Sequence, residues 1–177
     1  NIASPAQGVR DIFDNSPTAT VKDWENLASR MRKVESSLAG YIETLRIGLS
    51  ANDAPAKRQV EAVIDQVRQI TATDGFFREF AKEAKAENVE LSGQLLEDLA
   101  EAAEAAAEGY AKFGLFLENE LLPGATMEDA IGRERYELLS MRFLGTTVDL
   151  DEAYEWGKEE LARVVAEQAL VAEQILP

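Results

Sequence analysis

Histidine and cysteine are both missing from this 177-residue chain. Without cysteine there are no disulfides, thiolate metal sites or cysteine nucleophiles. Without histidine, the commonest metal ligand and the commonest general base are gone. Positive charge is scarce as well: 18 Lys and Arg stand against 33 Asp and Glu, for a net charge of -15. That balance argues against nucleic acid, whose phosphates are neutralised by clustered cations, and against anionic membrane surfaces. No apolar run approaches the roughly 20 residues needed to span a bilayer. The opening stretch, NIASPAQGVRDIFD, has acids where a signal peptide carries its basic segment. A cytoplasmic protein is the expectation, although an exported one without disulfides fits the same counts.

What is present is ordinary globular material, 46% apolar and 29% charged. A chain of this size buries about 70% of its unfolded surface, enough for a proper core. Residues 1–177 are therefore expected to form a single helical domain or subdomain. The first residue is Asn1 and not Met, which leads us to expect a processed product or a piece of a longer chain.

Nearly every long segment repeats its apolar residues at helical spacing. Trp24, Leu27, Ala28, Met31 and Val34 make one stripe, with Thr20 as its N-cap. The stripe continues through Leu38, Tyr41, Ile42 and Leu45, with a break or kink expected near Val34 to Ser37. SANDAP separates this pair from a helix whose face is Val60, Val63, Ile64 and Val67, and TATDG separates that from a short helix with Phe76, Phe77 and Phe80. The longest helix is expected between about Leu91 and Leu121. It is rich in Ala and Glu, and its small residues would let a neighbour approach closely. Pro123 and Gly124 should stop it. Beyond them, Tyr136, Leu139, Ser140 and Phe143 share one helical face, Gly145 terminates, and Asp149 caps a last helix with Glu152 in capping-box register. No strand of useful length, fixed-period repeat or long heptad run is visible. The pattern predicts an all-α fold, an antiparallel bundle of about six helices.

The densest polar and aromatic stretch is GRERYELLSMRFLGTTVDLDEAYEWGKEEL, from Gly132 to Leu161. DLDEA lacks the glycine and terminal glutamate of a calcium loop, so its acids read as capping and solvation. Arg133 and Arg135 point to different sides of a helix. Each can pair with Glu134, Glu137 or the acids near Asp149, or else hold a substrate carboxylate or a neighbouring domain. Tyr154 and Trp156 lie two positions apart and cannot share one narrow face, so one of them should be exposed or covered from outside.

In order along the chain, NIASPAQGVRDIFD, DW, AKRQV, DGFF, GRERY and FLGTTVDLDEAYEWGKEELARV resemble the bacterial domain-of-unknown-function family 885. The resemblance runs from residue 1 to residue 177 and is most specific from Gly132 to Val164. It implies a longer, mainly helical, zinc metallopeptidase-like protein with an HExxH helix in its C-terminal half. There, two histidines one turn apart would hold zinc and the glutamate would act as base. This chain has no histidine, so no catalytic or metal residue carries over. The function then expected is a non-catalytic helical scaffold, inactive alone, with zinc as a cofactor of the full-length parent only. Its partner would be the C-terminal half, and Arg133 and Tyr136 are the candidates for the substrate cleft. The bland alternative, that these two only lock helix to helix, stays open. So does a stand-alone helical interaction module, and an uncovered apolar patch would also favour a homo-oligomer.

Overall fold

The structure, a computed structural model, describes residues 4–175, so Asn1 lies outside it. The chain divides into two compact units, Asn1–Asp129 and Ala130–Pro177, which are taken separately below. Among the described residues there is no strand; one isolated bridge joins Ala56 and Thr126. No described helix is long and apolar enough to cross a membrane.

The all-α expectation holds, and the first unit alone is a bundle of six helices ahead of its C-terminal turns, with directions that are mixed and not uniformly antiparallel: α1 (Pro5–Asp14), α2 (Val21–Met31), α3 (Val34–Ser50), α4 (Lys57–Thr71), α5 (Phe76–Lys82) and α6 (Gly93–Phe116). The starts of α1, α2 and α6 have side chains that replace missing backbone partners. At α1, Gln7 reaches back to accept from the Ser4 N–H at 2.9 Å, and Pro5 fills the first helical position, where no N–H is needed. At α2, Thr20 Oγ1 accepts from the Asp23 N–H at 3.1 Å while Asp23 accepts from the Thr20 N–H at 2.9 Å. The hydrogen bonds from Thr20 hold the Asp23 carboxyl below the usual carboxylate range. The helix breaks at Arg32 and Lys33, just ahead of the expected position.

Helix α6 is the axis against which α2, α3, α4 and α5 all pack. Its buried face includes Ala102, Ala103, Ala106 and Ala107, small side chains that bring neighbouring backbones close. Gly109 marks the tightest approach, where a Cβ would sit 2.9 Å from the Glu35 Cα. Directions are mixed. Tyr41 lies against Phe113, and Arg46 pairs with Glu120, so α3 runs alongside α6 in the same sense. Arg68 pairs with Glu118 while the Lys57 N–H donates to Thr126 O at 2.7 Å, so α4 runs against it. Helical spacing records which face is buried and carries no information about direction.

At its C-terminal end α6 does not stop at once. It widens into a π-helical turn, Leu117–Leu121, and finishes in the three-residue α7, Leu122–Gly124. Pro123 lacks an N–H, and its ring would crowd the carbonyl four residues back in a regular α-helix. The wider turn removes that conflict and lets Leu117 and Leu121 stay buried. The core ends here. It holds an aromatic cluster in which Phe13 meets Phe77 edge-on at 5.2 Å and Phe77 lies 5.6 Å from Tyr110. Fully burying a ring such as Phe77 stabilises by about 1.5–3 kcal/mol. Trp24 is buried too, and its indole N–H donates to Thr18 O and Lys85 O, both at 3.0 Å.

The second unit contains α8 (Arg133–Leu144) and α9 (Leu150–Ile175). Gly145 ends α8 with φ 72°, a left-handed cap whose N–H returns to Met141 O at 2.9 Å. Asp149 caps α9 as expected, its Oδ1 accepting from the N–H groups of Asp151 and Glu152 at 2.9 and 3.1 Å. As a plain α-helix α9, with 26 residues, exceeds α6, with 24; continued through its five-residue π turn the α6 rod is the longer. Neither α8 nor α9 has a buried residue among those described.

Candidate functional site

The Gly132–Leu161 segment lies wholly in the second unit, and its local chemistry is mostly self-contained. The loop between α8 and α9 returns the chain so that Asp151 meets Arg133. Both guanidinium nitrogens are engaged, Nη1 to Oδ1 at 3.1 Å and Nη2 to Oδ2 at 2.9 Å. Glu137 stands 3.4 Å from Nε. The Arg133 guanidinium holds the Asp151 carboxyl below its ordinary range. Tyr136, on the same helix, is 55% exposed. Tyr154 and Trp156 are both exposed, at 69% and 65%, so neither ring turns into a core of this unit. Lys158 sits 5.4 Å from the centre of the Tyr154 ring.

A second arrangement lies in the first unit. Helices α1 and α4 line a half-open cavity of about 510 Å³, together with Phe76 of α5 and the buried Tyr110 of α6. Tyr110 is fully buried, and its hydroxyl donates to Ala6 O at 2.6 Å. Burial pushes its phenol above the usual range, so the ring is a neutral floor. Three glutamines, Gln7, Gln66 and Gln69, line the cavity with Arg10, and Gln7 donates to Gln66 across it at 2.6 Å. The Arg10 guanidinium lies 4.4 Å above the centre of Phe76.

The whole sequence, residues 1–177, matches the family described as "Bacterial protein of unknown function (DUF885)". The chain belongs to that family. No curated protein matches it.

Within this DUF885 chain the residues do not fit a zinc site. Imidazole and thiolate donors are absent from the sequence, and no three Asp or Glu side chains among the described residues form a group able to hold a metal ion. The cavity of the first unit was not visible in the sequence. Val63 and Val67 read as an ordinary apolar helix face, and Arg10 sits far from them along the chain. Tyr110 gave no sign of it, because a tyrosine on a buried alanine-rich face reads as core.

Proposed function

We propose that this DUF885 chain is a non-catalytic helical scaffold of a zinc metallopeptidase-like protein and is inactive alone. The first unit is its anchored bundle. The second unit presents α8 and α9 to the part of the protein that carries the HExxH helix, with Arg133 and Tyr136 beside the substrate cleft. One observation carries the scaffold role: α8 and α9 expose thirteen large hydrophobic side chains, Phe143 at 84% among them, and bury none. Helices apolar on several sides are stable when another surface covers them. The peptidase part of the reading rests on the family resemblance, and zinc would bind outside the residues described here.

Turnover of a peptide library by full-length protein with zinc, beside this chain alone, tests the reading. Activity is expected in the first and none in the second. Full-length protein that stays inactive with zinc bound removes the peptidase role. Arg133→Ala and Tyr136→Ala should lower turnover several-fold while moving the melting temperature little, because exposed ion pairs are screened by water and add little to stability. Losses that merely track stability would make both residues structural locks. The same exposed helices also support a stand-alone interaction module, which a gene without an HExxH segment would favour.

A further inference from the structure

We propose that the cavity between α1 and α4 is a binding site for a small amphipathic carboxylate, its acid group held by Arg10 and its apolar body lying on Val63, Val67, Phe76 and Tyr110. The inference does not depend on the peptidase reading, since every residue it uses belongs to the first unit.

Size and lining come first. At about 510 Å³ the cavity falls in the range of small-molecule sites, which are mostly apolar with a few placed polar groups. The floor is apolar and fixed. Val67 and Tyr110 are buried, and the Tyr110 hydroxyl is already committed to Ala6 O, so the ring offers a surface and no spare donor. Polar recognition must come from the rim, where Arg10 is the sole charged lining residue.

Arg10 is poised for a second partner. Its guanidinium carbon lies 4.4 Å from the centre of the Phe76 ring, a cation–π contact that draws on the charge without using an N–H donor on an oxygen. Five donors are available on a guanidinium, and among the described residues Nη2 pairs with Asp14 at 2.9 Å. That pair is exposed on both sides, 39% and 43%, and such pairs hold weakly. The charge of Arg10 is felt at the floor, where it opposes the upward shift that burial imposes on Tyr110. Beside it, Gln66 accepts from Gln7 through its carbonyl oxygen at 2.6 Å.

These features select one chemical class. A purely apolar guest would take water from the Arg10 charge and give nothing back. A cation would meet Arg10 directly. A phosphate carries more charge than one arginine offsets, beside Asp11 and Asp14 in a chain of net charge -15. A single carboxylate matches the fork of one arginine. The groove beside Arg46 and Lys112 makes the contrast. There Arg46 is held by two carboxylates, Glu43 and Glu120, against Asp14 for Arg10.

The test is calorimetric titration of the full chain with octanoate below its micelle concentration, against octanol and octylamine of equal length and acetate as a head group alone. Octanoate should bind one-to-one and at least about tenfold more tightly than octanol, a difference of about 1.4 kcal/mol. Arg10→Ala should abolish that difference, and Arg10→Lys should restore part of it. Val63→Phe fills the cavity while keeping Arg10, and should remove octanoate binding with the melting temperature kept. Equal binding of octanoate and octanol overturns the proposal, as does acetate binding equal to octanoate. Octanoate binding that survives Val63→Phe overturns it too, by placing the probe on another apolar surface such as α8 and α9.

Discussion

The two units of this chain use the same local rules to opposite ends. In the first, between Ala6 and Leu121, fall all 25 buried hydrophobic residues among those described. In the second, 14 large hydrophobic residues from Ile131 to Ile175 are exposed, against six in the first unit among the described residues. Both units are helical, and each has side-chain or glycine caps at some of its helix ends. The difference is that α6 has four helices around it, whereas α8 and α9 enclose no core. Capping and propensity decide whether a helix starts and stops; tertiary packing supplies most of its stability. The second unit has the first ingredient and lacks the second within the described residues.

Core truncation should separate the units most. Phe77 is fully buried, and Phe77→Ala should cost about 3–5 kcal/mol in a denaturant melt. Phe143, 84% exposed, should cost within about 0.5 kcal/mol when changed to Ala in this chain. Equal losses at the two positions would mean that α8 is covered in solution. A dimer is one way to cover it, and sedimentation at several concentrations would detect one.

The glycines give a smaller contrast of opposite sign. A Cβ at Gly109 would come 2.9 Å from the Glu35 backbone, so Gly109→Ala must push α3 away from α6 and should cost about 1–3 kcal/mol. At Gly157 in α9 nothing lies within 4 Å, so Gly157→Ala should raise helicity and stabilise by about 0.5–1 kcal/mol. Thermal melts of both variants decide it. A neutral Gly109→Ala would show that the α3–α6 contact can relax without loss.

The smallest effect should be that of pH. Arg78 pairs with Glu104 through two bonds of 2.7 Å, tying α5 to α6. Its hydrogen bonds hold the Glu104 carboxyl below its ordinary value of 4.5. A carboxyl lowered in the folded state contributes stability that is present above the unfolded value. That contribution is lost as pH falls through the folded one. Stability of the first unit should therefore decline on acidification below about pH 4.5, and Glu104→Gln should flatten that part of the profile. An unchanged slope in the variant would assign the acid sensitivity to other carboxylates.

The sequence by itself determined the elements. Thr20 with Asp23, Asp149 and Gly145 each place a helix end through hydrogen bonds made within a few residues, so the signal is local and readable. The faces of α2, α4 and α6 were readable for the same reason, because a stripe such as Val60, Ile64 and Val67 needs only the helical period. The tertiary structure decided everything that depends on who meets whom. The parallel run of α3 beside α6 is one case. The widening at Leu117–Leu121, where Pro123 had looked like a stop, is another. The Arg133–Asp151 pair was one option among several in the sequence, and the loop between α8 and α9 selects it. The cavity at Arg10 was not legible at all. It is formed by α1, α4, α5 and α6 together, and residues as distant in sequence as Ala6 and Tyr110 share a hydrogen bond there. Side-chain period reports the direction of burial on one helix, while a concavity is the space that several helices leave between them.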